Sequence, residues 1–208
     1  MAARREAGAD LQEIHTALLG GGAQGQVRIE AMLRVPGLRF RGVCDIWTES
    51  TQRRVVNTLK RFKQEPNAYA DYREMLREKD LEIVLVGSPD HWHALHGIAA
   101  MEAGADVYLQ KPISVDVLEG EAILAKARRL GRVVQIGTQR KSTPHLIEAK
   151  KQIVEAGLLG AIGHVDLCCY FHMRANGNPP VQPVPSHLDY ELWTGPAPLR
   201  PYDGLPHL

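Results

Sequence analysis

Cysteine, long apolar runs and an excess of charge of either sign are all scarce in this chain, and each scarcity removes a class of protein. Its three cysteines, Cys44, Cys168 and Cys169, include an adjacent pair and one inside an apolar run. They make no disulfide framework and fit a reducing compartment. No stretch approaches about 18 uncharged apolar residues, and residues 1–10 carry charges without the apolar core of a secretory leader. These absences predict a cytoplasmic protein with no membrane partner. The 25 Lys and Arg are mixed with 24 Asp and Glu for a net charge of +1, so nothing favours nucleic acid. Arg53-Arg54 and Arg128-Arg129 read as solvated helix faces. At 208 residues the chain can bury a sizeable core, as one large domain or as one domain and part of another.

Glycine, by contrast, is concentrated where it is informative. Gly20-Gly21-Gly22-Ala23-Gln24-Gly25 follows an apolar run at 14–19 and opens a segment, 26–33, whose apolar residues return at helical spacing. The glycines therefore sit at a strand-to-helix turn, where a dinucleotide's pyrophosphate would meet the positive end of a helix. Gly20 suits the tight turn, Gly22 allows backbone N–H groups close to phosphate, and Gly25 lets helix and strand touch. Asp45 closes the next apolar run, twenty residues past Gly25, where a carboxylate could accept hydrogen bonds from both adenosine ribose hydroxyls. A carboxylate there favours NAD, with NADP the less favoured cofactor.

Further on, strands and helices alternate. Strands are predicted at 14–20, 38–45, 81–87, 105–109 and 132–137. Helices are predicted at 49–62, with Val55, Val56, Leu59 and Phe62 on one side, and at 92–103 and 115–130, with a shorter unit at 68–76. Gly104 and Gly131 read as helix stops. Repeated β-α units with short connections imply an α/β fold, a doubly wound parallel sheet, whose ligands bind outside the carboxyl ends of its strands. The residues there are the glycine turn, Asp45, Ser88-Pro89-Asp90-His91, Gln110-Lys111-Pro112 and Gly137-Thr138-Gln139. Lys111 ends a strand beside Pro112, within reach of a substrate hydroxyl next to a nicotinamide. Burial and the cofactor's charge would both lower its pKa toward that of a general acid/base. His91 and His93 would line the nicotinamide side or cap the helix, with simple packing as the other reading. No metal is expected at His91, His93 and His96, which lack a ligand-spaced cysteine or carboxylate set. Trp92 and Trp193 read as packing residues.

After Gln139 the pattern thins. Ser142-Thr143-Pro144 starts a helix, 144–156. A strand at 163–174 follows, then a proline-rich coil at 179–206. The strand has an apolar face, Leu167, Cys169, Phe171 and Met173, which the helix would cover in part. Its other face carries Tyr170, His172 and Arg174, either substrate contacts or the solvent side. One strand cannot close its own sheet, so the second unit is expected to be incomplete.

The glycine turn, Asp45, Ser88-Pro89-Asp90-His91-Trp92-His93, Gln110-Lys111-Pro112, residues 160–165 and residues 188–198 together resemble the glucose-fructose oxidoreductase/inositol dehydrogenase (Gfo/Idh/MocA) family. That resemblance implies a dinucleotide-binding Rossmann domain, 11–139, then a truncated substrate or oligomerisation domain, 140–208, belonging to an α/β unit with an open, mainly antiparallel sheet. It implies hydride transfer at a hydroxyl or carbonyl of a sugar, cyclitol or related polyol, with Lys111 as acid/base and a homo-oligomer at full length. The cofactor would be NAD, held by Gly20, Gly22, Ala23, Gln24, Gly25, Asp45, Ser88, Pro89, His91, His93, Gln110, Lys111 and Gln139. Two departures stand out: Gln110 replaces the glutamate of the family's Glu-Lys-Pro motif, and the family's later Asp/His pair falls beyond Leu208. Alternatives are an NAD-dependent glycoside hydrolase working by transient oxidation and elimination, and a non-catalytic NAD-binding fragment or subunit.

Overall fold

The computed structural model describes residues 13–168 and 180–204. Strand β1 (Ile14–Leu19) is buried on both faces from Thr16 onward, as a central strand must be. It pairs in parallel with β2 (Leu38–Cys44) on one side and β4 (Ile83–Val86) on the other. With β3 (Asn67–Tyr69), β5 (Asp106–Gln110) and β6 (Val134–Gly137), the sheet runs β3-β2-β1-β4-β5-β6, parallel throughout. The chain winds outward from β1 to β3, then returns to β4 and winds the other way. The reversal opens a crevice between the carboxyl ends of β1 and β4.

Alternation along the strands divides the core between two layers. Leu18, Val43 and Leu85 face α1 (Ala23–Met32) and α2 (Arg53–Arg61), meeting Ile29, Val55 and Leu59. Ala17, Leu19, Val84, Val86, Val107 and Leu109 face the opposite layer. There α4 (His93–Glu102) contributes Ala100 and Met101, and α5 (Val117–Leu130) contributes Ile123 and Ala127. The short α3 (Tyr72–Met75) adds Met75 to that layer. Asp71 and Asp116 cap α3 and α5, accepting from the amides of Arg73 and Glu119, while Gly131 ends α5 at φ +62°.

Several expectations change. The 49–62 helix begins as a wide π-type turn, Thr48–Gln52, and α2 ends at Arg61; Phe62 has left the helical path and is 59% exposed. The 144–156 helix is α6 (Pro144–Ala149), with Pro144 in its first turn, running into a π-type turn at Lys150–Val154. Leu146, Ile147, Ile153 and Val154 are exposed, so it covers no apolar strand face. The described part of the expected 163–174 strand, residues 163–168, is not paired, and Leu167 is 94% exposed. A strand needs a neighbour for its backbone N–H and C=O groups, and no described segment lies alongside. Tyr170, His172 and Arg174 lie outside the described residues. Within the proline-rich segment, α7 (Tyr190–Thr194) forms, with Asp189 accepting from the Leu192 amide at 2.8 Å.

The contact that sets the crevice is between α1 and the turn before it. A Cβ on Gly25 would stand 2.1 Å from the Gly20 carbonyl oxygen. Gly20, at φ +88°, has its own vacant side-chain direction filled by the Ser88 backbone. Gly25→Ala should therefore push α1 off the sheet and cost at least about 1–3 kcal/mol. Urea denaturation of wild type and variant measures this; equal midpoints would show that the helix can shift freely.

Candidate functional site

One cavity of about 650 Å³ occupies the crevice. Its floor is the glycine turn, Gly20, Gly22, Ala23 and Gln24, at the N-terminus of α1, where first-turn amides have no partner inside the helix. A Cβ on Gly22 would meet nothing within 4 Å, so the backbone is bare toward the cavity. Gly25 lies behind this wall, in the helix–strand contact.

Asp45, at the end of β2, organises one side. Its Oδ2 accepts from the Gly21 amide at 2.5 Å, and its Oδ1 from the Trp47 amide at 2.8 Å and the Thr51 hydroxyl at 2.7 Å. Burial raises the carboxyl pKa, and these three hydrogen bonds oppose that shift. A carboxylate has roughly four acceptor positions. Asp45 thus has room for about one further donor, fewer than the two ribose hydroxyls expected of it. Cys44 beside it is held as a thiol by burial first and by the Asp45 charge second.

Across the crevice Ser88, Pro89 and Asp90 line the wall after β4, with Trp92 and His96. His96 Nδ1 lies 2.9 Å from the Ser88 hydroxyl, and its ring is stacked on Trp92 and tilted against Tyr72, with centroids 5.1 and 4.6 Å apart. Burial, then the neighbouring His93 and His91, push its pKa down to about 4. Lys111 reaches the same cavity from the end of β5. The residue is exposed, so the burial expected to act on its ammonium is not met: β5 ends at Gln110, and Lys111 lies past the covered end of the strand.

The other expected residues lie off the cavity wall. His93 is fully buried, its ring nitrogens 2.6 Å from the Pro112 carbonyl oxygen and 3.0 Å from that of Ser88; it ties the β4 and β5 turns together. His91 Nε2 donates to the Trp193 carbonyl at 2.8 Å. Gln110, 2% exposed, accepts from the Lys111 amide at 2.7 Å and donates to Gln24 Oε1 at 3.2 Å. Gln139 is exposed and pairs with the Gly137 carbonyl and Arg28. No three histidine, cysteine or carboxylate side chains among the described residues cluster as a metal site would require.

Sequence reasoning missed the roof. Trp47 bridges Leu188 in antiparallel fashion, the Thr48 amide donates to His187 O and the Asp189 amide to Ile46 O, at 3.0 and 3.1 Å. Trp92 Nε1 donates to Leu192 O at 2.9 Å. Residues 185–204 thus strap across the crevice, and Leu188, Leu192 and Trp193 join its lining. The clustered apolar residues of 188–193 were the available signal; their docking site was not.

His96 makes a pH prediction. The unfolded chain takes up its proton near pH 6.5 and the folded chain only near pH 4. Stability fully present above about 6.5 is lost as pH falls through that window, by up to about 3 kcal/mol. His96→Phe keeps the ring stack and removes the titration. Denaturation of both proteins at pH 4.5 and 7 should show a smaller acid loss in the variant; equal losses would mean that His96 does not carry the effect.

The profile of an oxidoreductase family with an NAD-binding Rossmann fold, Gfo/Idh/MocA, matches residues 14–138, and that of its C-terminal alpha/beta domain matches residues 145–206. The inositol 2-dehydrogenase of Salmonella paratyphi B is 28% identical over 127 residues, 61% of this chain and 36% of that protein. The alpha-N-acetylgalactosaminidase of Shewanella oneidensis is 27% identical over 123 residues, 57% of this chain and 27% of that one. The crystal structure of myo-inositol 2-dehydrogenase from Lactobacillus plantarum shares the fold, with TM-score 0.64 at 22% identity over 73% of this chain and 43% of its own. The chain spans well under two thirds of the length of these relatives.

Proposed function

The chain belongs to the Gfo/Idh/MocA oxidoreductase family, and on that premise we propose that it binds a nicotinamide dinucleotide, NAD in preference to NADP, and serves hydride transfer at a hydroxyl or carbonyl of a sugar or cyclitol. One observation carries the reading: a single cavity joins the bare glycine turn and Asp45 to Lys111. The glycine turn and α1 N-terminus would hold the pyrophosphate, and Asp45 the adenosine ribose. The bound dinucleotide supplies the hydride acceptor or donor. Lys111 Nζ gives or takes the proton at the substrate hydroxyl, while Gln110 and His93 fix the turn that carries it. We assign the dinucleotide unit to residues 11–139 and the start of a substrate unit to 140–208. The 28% identical inositol 2-dehydrogenase supports the substrate class.

Because the Asp45 carboxylate repels a 2′-phosphate, calorimetric titration should give tighter binding of NAD than of NADP, and Gly22→Val should abolish both while the protein stays folded. Equal or tighter NADP binding would refute the cofactor choice. For the chemistry, Lys111→Ala should leave NAD affinity within about twofold and lower NADH production from responsive inositols or sugars by roughly 10²–10⁴-fold. Unchanged turnover would remove Lys111 from the reaction.

The relationship to an alpha-N-acetylgalactosaminidase favours a second reading, glycoside cleavage by transient oxidation at the same lysine. Reducing sugar released from a glycoside without net NADH distinguishes it.

A further inference from the structure

His96 lines the cavity yet has no part in the proposed hydride transfer. Its ring is held on three sides: Nδ1 lies 2.9 Å from the Ser88 hydroxyl, one face stacks on Trp92, and Tyr72 tilts against it. That leaves Nε2, which has no partner among the described residues. The side-chain polar atoms there that are both sealed and unpaired belong to Thr16, Arg28, Trp47 and Trp193. His96 Nε2 is not one of them. It therefore keeps an opening on a side chain only 9% exposed, and that side chain opens onto the cavity.

The Ser88 contact decides what Nε2 offers. At neutral pH the imidazole is uncharged and carries one proton. Ser88 Oγ has no other acceptor among the described residues, so its proton goes to Nδ1 and the ring's own proton stands on Nε2. An N–H set in a wall that includes Ile46, Ala70, Pro89 and Trp92 selects a flat, largely apolar group with an acceptor on its edge.

Sheet order identifies that group. The glycine turn follows β1, Asp45 follows β2 and Lys111 follows β5, in the order β3-β2-β1-β4-β5-β6. A dinucleotide with its pyrophosphate on the glycine turn thus sends its adenosine toward β2 and β3 and its nicotinamide toward β5. Ser88 is pressed against Gly20, and Tyr72, which touches His96, comes just after β3. His96 is therefore on the adenosine side, where the ribose at Asp45 carries its base. Adenine is flat, and its ring nitrogens accept hydrogen bonds.

We propose that His96 selects the base of the cofactor, its Nε2–H donating to a ring nitrogen of the adenine. This rests on the dinucleotide reading of the cavity. It adds a contact at the base to those at the pyrophosphate and the ribose, and nothing in it needs the nicotinamide.

The test pairs a change in the ligand with one in the protein. Calorimetry on the full 208-residue chain compares ADP-ribose with its 1-, 3- and 7-deaza analogues, each of which replaces one adenine ring nitrogen by C–H. Wild type should bind one of the three about three- to tenfold more weakly than ADP-ribose. His96→Phe, which keeps an aromatic ring on Trp92, should bind that analogue and ADP-ribose alike, both at the weaker level. Should the variant fail to fold, ¹⁵N-histidine spectra of wild type decide, with the His96 ring assigned through its own β-carbon. Nε2 should be the protonated nitrogen, and its signal should move with ADP-ribose and stay in place with nicotinamide mononucleotide. Equal binding of ADP-ribose and all three analogues by wild type would overturn the proposal and leave the dinucleotide site standing. So would a loss on one analogue that persists in His96→Phe, or an Nε2 that carries no proton. Failure of wild type to bind either NAD or ADP-ribose would overturn the dinucleotide reading itself, and the proposal with it.

Discussion

Everything at the crevice depends on how closely α1 can approach β1. With the space for a Gly25 Cβ only 2.1 Å from Gly20 O, and the Gly20 turn pressed against the Ser88 backbone, helix, turn and the β4 loop are locked in one contact. Side chains at either position would separate the layers and enlarge the gap between β1 and β4. Because the contact is made of backbone, the N-terminus of α1 is brought to the sheet's edge bare, with Gly22 facing empty space. The geometry proposed to hold the pyrophosphate is thus a consequence of packing, before any ligand contributes.

Asp45 extends that rigidity sideways. One buried carboxylate holds an amide from the glycine turn, an amide from the β2 loop and a hydroxyl from the π-type turn before α2. Burial disfavours its charge, and the three donors offset part of that cost. The same loop carries Trp47 to the strap. A residue read as a ligand contact is also the joint on which three segments and the roof are hung.

The sheet was legible because its signals are local. Contiguous apolar runs marked β1 and β4, and glycine stops marked the helix ends. The misses are of two kinds, local and long-range. For His91 and His93 both a place at the nicotinamide side or helix cap and simple packing were open, and His93, Gly97 and Ala100 recur at helical spacing and are buried together. That period signalled an inward-facing imidazole spent on packing. Trp47 and the 185–204 strap could not be placed from spacing. Their contacts join residues about 140 apart, and a lone apolar cluster such as 188–193 does not name its dock.

Gln110 shows how a departure from a family's pattern can be internally consistent. At 2% exposure a carboxylate in its place would be a buried charge, and none of the partners given to Gln110 is a cation. It would also remove the N–H that now donates to Gln24 Oε1. The amide avoids both conflicts. Its oxygen accepts from the Lys111 N–H, as a carboxylate would, and its nitrogen satisfies Gln24, a residue of the glycine turn. Gln24 and Gln110 are therefore a matched pair. The turn at the N-terminus of α1 is tied to the backbone of the proposed acid/base through two neutral amides, and Lys111 is positioned without a fixed anion at residue 110.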